Sequence, residues 1–267
     1  VSLLVAWVGW RYSMGWMAVL FLLLAWLLYR FVHDTPTGVG HAAQPLPSIG
    51  IFASLKRVLG HSQTWINALY TGFLFAPCAV IGEDLGPAYL QFGRGLSAYA
   101  AAFAIGLIFI GWFIGGPLTG WFSDRIGRRK PLLIGSALAG LLLISTLVYV
   151  PQLTMLSAYG LLFVYGLTNT GVAVAYAVST ELHDRDVVGT AIAFTNMLSI
   201  FVGAFMQPTV GYMIDRVAGA RAYHVESLTL LDFQQGLNLL PLCAFVALLL
   251  SFFIKETNCR PQYAAHH

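Results

Sequence analysis

The sequence predicts an all-α polytopic membrane protein. Three observations carry that reading: 58% hydrophobic against 9% charged residues, a mean hydropathy of +0.75, and a chain that resolves into apolar runs of membrane-spanning length. A helix needs about twenty apolar residues to cross the hydrocarbon core, and lipid tolerates only backbones that satisfy their own hydrogen bonds. Soluble domains carry about 25% charged residues, so a water-soluble fold is excluded by composition. The net charge of +3 does not imply nucleic acid as a partner, because the cations are dispersed except in one turn.

The elements follow in order. Residues 1–10 read as a partial span, and full spans follow at 13–32, 64–82, 96–122, 131–150, 154–180, 188–213 and 234–254. The polar stretch 33–63 opens with Pro36, Gly38, Gly40, Pro45 and Pro47. It ends in apolar residues at helical spacing with Lys56 and Arg57 on the polar side, the pattern of a helix lying in the membrane interface. The run at 64–93 is the least regular, interrupted by Pro77, Gly82, Gly86 and Pro87. It is either a flexible broken helix shielded by protein or a helix that ends near Gly82 with a loop helix after it. Val1 leads directly into apolar residues without an initiator Met or a basic leader, so the chain reads as starting within a helix, a fragment of a longer protein.

Charge sets the orientation. One set of alternate loops holds ten of the fourteen Lys and Arg residues, including Lys56, Arg57, Arg128, Lys130, Arg185 and Lys255. The other set holds Arg11, Arg94, Arg216 and Arg221. The richer set is expected on the cytoplasmic side, which places the 33–63 linker, the 120–130 turn and the C-terminus there. Chemistry of other kinds finds no support. Cys78, Cys243 and Cys259 have neither pairing nor metal-ligand spacing, and no phosphate loop or nucleophile–base pattern occurs, so no metal, cofactor or enzymatic activity is expected.

The turn at 120–130, Gly-Trp-Phe-Ser-Asp-Arg-Ile-Gly-Arg-Arg-Lys, is the most specific feature. Charges packed between two spans are expensive unless they orient or gate the protein. The run resembles the loop signature of the major facilitator superfamily of transporters, Gly-x-x-x-Asp-Arg-x-Gly-Arg-Arg. The span order resembles that family's second half preceded by the sixth of twelve helices. On this likeness residues 1–32 are the end of helix five and helix six, 33–63 the central cytoplasmic linker, 64–258 the C-terminal six-helix bundle and 259–267 a tail. Asp34-Thr35-Pro36 and Glu256-Thr257 look like the matching acidic-Thr endings of the two halves, and Gly9-Trp-Arg-Tyr-Ser-Met resembles the external turn before helix six. The first half of such a transporter is then a partner outside this chain.

The residues of the turn carry separate expectations. Gly120 should let a neighbouring helix approach, continuing a small-residue face with Gly106, Gly111, Gly115 and Gly116. Asp124 should accept backbone N–H groups at a helix N-terminus. Arg128 should reach Glu181 or Asp184 on an adjacent loop. The resemblance implies that this network, with Arg125, Gly127 and Arg129, latches the cytoplasmic side in the outward-open state. The bland alternative is an anchor that serves topology alone, for which Gly120, Asp124 and Gly127 are unnecessary.

The resemblance also implies a solute seat on the first and fourth helices of the bundle. Asn67, Tyr70 and Thr71 lie on 64–82, and Tyr165, Asn169, Val172 and Tyr176, spaced by four, three and four, share one face of 154–180. Asn196, Ser199, Gly203 and Gln207 form a third stripe. Each such residue taken singly is better explained by hydrogen bonding between helices; together they suit a pocket for a small neutral or zwitterionic organic solute. No charged residue sits mid-span, since Glu83, Asp84, Glu181 and Asp215 fall at helix ends. An ionisable group for proton coupling would therefore reside in the other half, or the protein is a facilitator. The expected function is secondary transport of an amino acid or related nutrient across a bacterial inner membrane by alternating access. Efflux of drugs or metabolites, and a receptor or scaffold that retains the fold, stand as alternatives.

Overall fold

The computed structural model describes residues 2–32 and 50–262, and no strand occurs among them. Seven of the described helical segments are long and apolar enough to cross a membrane. The linker residues 33–49 and the tail residues 263–267 lie outside the described residues.

Helix α1, Ser2–Phe31, is interrupted at Gly9, where φ is +79° and ψ is 160°. Only glycine enters that region cheaply, so the break falls where the turn was expected and leaves Gly9–Phe31 as the span.

The second compact unit, residues 47–267, begins with α2, Ile51–Leu59. Its Val58 is buried among Ala68, Val187, Ala191 and Phe194, which seats the expected interfacial helix on its neighbours. Helix α3, Ser62–Cys78, does not stop near Gly82. It widens into π-turns at Ala79–Asp84, passes through the short α4, Gly86–Ala88, and widens again at Tyr89–Gly93. Pro77 and Pro87 lack the N–H that an α-helical ladder needs, and the wider turns let the helix continue past them. The Leu85 N–H reaches back to the Val80 carbonyl at 2.8 Å.

Helix α5, Ala98–Ile126, begins on the Ser97 side chain and ends at Gly127, which is left-handed at φ +69°. A Gly at that position closes the helix through its N–H to the Ser123 carbonyl. Helix α6 covers Lys130–Tyr149. The expected span 154–180 is two helices, α7 Met155–Asn169 and α8 Gly171–Leu182, parted at Thr170. Helix α9, Val188–Ala218, is followed by α10, Leu230–Leu237, and α11, Leu239–Phe253, which together form the last span.

Helix α3 packs on α9 and α11, α5 on α7, and α6 on α11 and α7. The α5–α7 contact is backbone to backbone: a Cβ at Gly166 would lie 2.1 Å from the Ile108 carbonyl, and one at Gly111 2.4 Å from that of Phe163. Small residues of this kind let membrane helices approach where bulk would hold them apart. One apolar cluster gathers Tyr89, Ile108, Leu147, Leu162 and Leu237, and a second gathers Tyr70, Leu74, Leu133 and Val178. At the end opposite the 127–130 turn, Arg94 closes the bundle by donating to the Leu147, Val150 and Pro151 carbonyls.

Candidate functional site

The charged turn builds a network around Arg129. Its guanidinium is nearly buried, donating to Glu181 at 2.7 and 3.1 Å, to Asp124 at 2.8 Å and to the Ser123 hydroxyl at 2.7 Å. Burial works against the Arg129 charge, but the hydrogen bonds and charge of Glu181 outweigh it and hold the group above its ordinary pKa. The side-chain hydroxyl of Thr257, beyond α11, donates to the other oxygen of Glu181. One cation thereby joins the end of α5, the end of α8 and the segment after α11.

Glu256 completes the arrangement from the other direction. Its carboxylate accepts the backbone N–H groups of Arg129 at 2.8 Å and Lys130 at 3.0 Å, and those of Thr257 and Asn258 at 3.0 Å. It therefore sits on the N-terminus of α6, where exposed N–H groups and the helix dipole favour an anion. Burial alone would raise its pKa, but the four N–H donors hold it below the usual value for glutamate.

Several expectations change here. The cation that reaches Glu181 is Arg129, not Arg128, because the left-handed turn at Gly127 aims residue 129 inward and leaves 128 exposed. Asp124 caps no helix N-terminus: it lies in the last turn of α5 and accepts from Arg129. Asp184 belongs to another contact, pairing with Arg57 of α2, which also donates to Asp186 at 3.0 Å. Gly120 faces open space, as do Gly106 and Gly116, so the close approach on α5 falls to Gly111 and Gly115. Arg125 lies over the Trp121 ring at 5.2 Å.

A cavity of about 460 Å³ lies among α3, the π-turn after it, α5, α8 and α9. Its wall includes Phe75, Glu83, Trp112, Tyr176, Asn196 and Gln207. Tyr176 donates to Asn196 at 2.8 Å, and Gln207 donates to the Ala79 carbonyl at 3.1 Å, in the π-turn. Phe75 and Trp112 meet edge to face at 6.2 Å. The Trp112 indole N–H is buried with no hydrogen-bond partner among the described residues.

Of the residues expected in a solute pocket, Val172, Tyr176, Asn196, Ser199 and Gln207 line this cavity; Gly203 does not, nor do five polar or aromatic residues of α3 and α7. Asn67 donates to the Ala175 carbonyl and the Ser179 hydroxyl, both at 2.9 Å, and Thr71 donates to the Asn67 carbonyl. Tyr70 donates to the Leu133 carbonyl at 2.8 Å, and Asn169 to the Leu74 carbonyl and the Tyr165 hydroxyl. All five are fully buried between helices. Helices α7 and α8 part at Thr170, with Tyr165 and Asn169 before it and Val172 and Tyr176 after it; the first two are covered by neighbouring helices and the last two line the cavity. Glu83 and Trp112 were not expected in a solute site. Glu83 looks terminal only if the helix ends at Gly82, and the π-turns carry it onward into the cavity wall.

An ion-paired turn thus closes one end of a bundle of helices long and apolar enough to span a membrane, with a largely apolar cavity carrying a few polar groups among them. The chain belongs to the Major Facilitator Superfamily, whose sequence profile matches residues 1–208. It is similar to proteins named "Probable hexose phosphate transport protein" from Chlamydia muridarum and Chlamydia trachomatis serovar D, at 25% and 24% identity over 97% of this chain. This chain spans 59% of the length of each of those relatives. In structure it is similar to a bacterial homolog of the human lysosomal transporter Spinster, in an inward-facing, unoccupied conformation. That match has a TM-score of 0.61 at 18% identity and covers 92% of this chain and 59% of the other.

Proposed function

We propose that this chain is the solute-handling C-terminal bundle of a secondary transporter working by alternating access, with its first half supplied by a longer protein. The single observation that carries this reading is Arg129, one buried cation that holds three chain segments together at one end of the bundle. An anchor for topology needs exposed charge near the membrane; it has no use for a buried guanidinium hydrogen-bonded to Glu181, Asp124 and Ser123. The network is a latch: intact in the state described here, and broken when the end of α8 parts from the α5–α6 turn. The excess of Lys and Arg in the loops on that side supports a cytoplasmic position for the latch and the C-terminus.

The solute proposed is a small polar organic molecule with an amine, an amino acid or related nutrient, seated against Glu83, Tyr176, Asn196 and the Phe75–Trp112 pair. Aromatic faces beside a carboxylate suit a cationic nitrogen. Neither Lys nor Arg lines the cavity, so this half offers a phosphate dianion no counter-charge and one like charge. The names of the chlamydial relatives favour a sugar phosphate instead, and uptake decides between them. Full-length protein in proteoliposomes should accumulate a labelled amino acid and ignore glucose 6-phosphate. Accumulation of glucose 6-phosphate alone would overturn the solute assignment while leaving the transport assignment in place.

A further inference from the structure

Arg128, the cation that the latch leaves out, stands at the mouth of a second feature. Helices α5 and α6 are consecutive spans joined by a tight turn, yet they barely touch each other; each packs instead on α7. The space between them is a crevice of about 350 Å³ with apolar walls, Leu118, Phe122, Leu132 and Leu167 among them. It shares Pro131 and Gly135 with a wider hollow of about 600 Å³ at the charged end, lined by Arg128, Lys130, Ile134, Glu256 and Asn258. A Cβ on Gly135 would meet nothing within 4 Å, so the crevice is open where α6 has no side chain. None of these residues lines the solute cavity.

We infer that this groove is a binding site for an anionic phospholipid, with one acyl chain between α5 and α6 and the phosphate against Arg128 and Lys130. Protein interiors and interfaces are close-packed, and a hydrocarbon-lined crevice at membrane depth loses contacts unless something apolar fills it. Charge chooses the headgroup. Arg129 is neutralised by Glu181 and Asp124, and the Glu256 carboxylate is turned onto four backbone N–H groups. Arg128 makes no side-chain hydrogen bond or ion pair among the described residues, and the Lys130 ammonium donates only to the Phe252 carbonyl. Exposed Trp121 and Phe122, with Arg125 over the Trp121 ring, mark this level as the membrane interface. Basic pockets between spans at that level recognise lipid phosphate.

The site also adjoins the latch, since Lys130 and Glu256 belong to both. A bound lipid would therefore favour the arrangement in which α6 and the segment after α11 are held together.

The test uses full-length protein in phosphatidylcholine bilayers with a spin label on the acyl chain of either phosphatidylglycerol or phosphatidylcholine. The immobilised fraction should favour phosphatidylglycerol several-fold. Arg128→Gln should abolish that preference, and Gly135→Leu, which fills the crevice without touching charge, should release the immobilised chain. Unfolding midpoints near wild type establish that both variants are folded. Equal association of the two lipids with wild type, or an unchanged preference in both folded variants, overturns the inference. Glycerol 3-phosphate, a headgroup without chains, should fail to displace the labelled lipid; displacement at millimolar concentration would make this a free-phosphate site and overturn the lipid assignment.

Discussion

Arg129 and Glu181, fifty-two residues apart, form a buried ion pair at 2.7 Å that joins the α5–α6 turn to the end of α8. Both side chains are about nine-tenths buried, so neither is interchangeable with an exposed charge. A buried pair adds little net stability, but removing one partner strands the other.

Replacing Glu181 with Gln should therefore lower stability by roughly 3 kcal/mol and slow transport severely. Asp124 is 70% exposed, so Asp124→Asn should change stability by less than about 1 kcal/mol while still impairing transport. Thermal unfolding in detergent and initial uptake rates separate the two effects. Uptake at wild-type rates in folded Asp124→Asn would remove Asp124 from the latch.

Glu256 gives the latch a pH dependence. Its pKa in the folded protein lies below that of the unfolded chain, so its contribution is complete above the unfolded value and is lost as pH falls through the folded one. The unfolding midpoint of wild type should thus fall toward that of Glu256→Gln as the solution is acidified below the ordinary glutamate range, and the two should differ most near neutrality. Parallel curves across that range would show that Glu256 is not the titrating group.

Gly166 and Gly120 should respond oppositely to alanine. A Cβ on Gly166 meets the Ile108 backbone, which cannot swing aside, so Gly166→Ala should destabilise by about 1–3 kcal/mol or more. Gly120→Ala enters open space and should fall within about 0.5 kcal/mol of wild type. Unfolding measurements on the two proteins side by side check this.

In the solute site, Glu83→Gln should weaken binding of an amine-bearing solute by tenfold or more, about 1.4 kcal/mol. Asn169→Ala should destabilise the bundle by removing two interhelical hydrogen bonds yet leave solute affinity within about twofold once folded protein is counted. Binding titrations on the two variants tell wall from scaffold.

The spans and the turn were legible in the sequence because their signals are local: apolar length, a Pro or Gly where a helix ends, clustered cations. Which residue faced which was less legible. The spacing of Tyr165, Asn169, Val172 and Tyr176 implies one face but not which part of it a neighbouring helix covers: Tyr165 and Asn169 are buried between helices, while Val172 and Tyr176 line the cavity. Glu83 looked terminal because Gly82 and Pro87 read as an ending, whereas a π-turn takes in Gly82 and Pro87 sits in the first turn of the short α4. The choice of Arg129 over Arg128 depends on the left-handed Gly127, a rotation that charge counting cannot register. The role of Glu256 depends on the end of α11 meeting the start of α6, a contact 126 residues apart in sequence.

The latch is tested most directly by a distance. Spin labels at Arg125→Cys and Arg185→Cys, with the native cysteines replaced, would report the separation of the α5–α6 turn from the loop after α8 in reconstituted full-length protein. The account predicts a second, longer distance whose population rises with solute concentration in step with uptake. A single distance that stays fixed while the protein transports would contradict it.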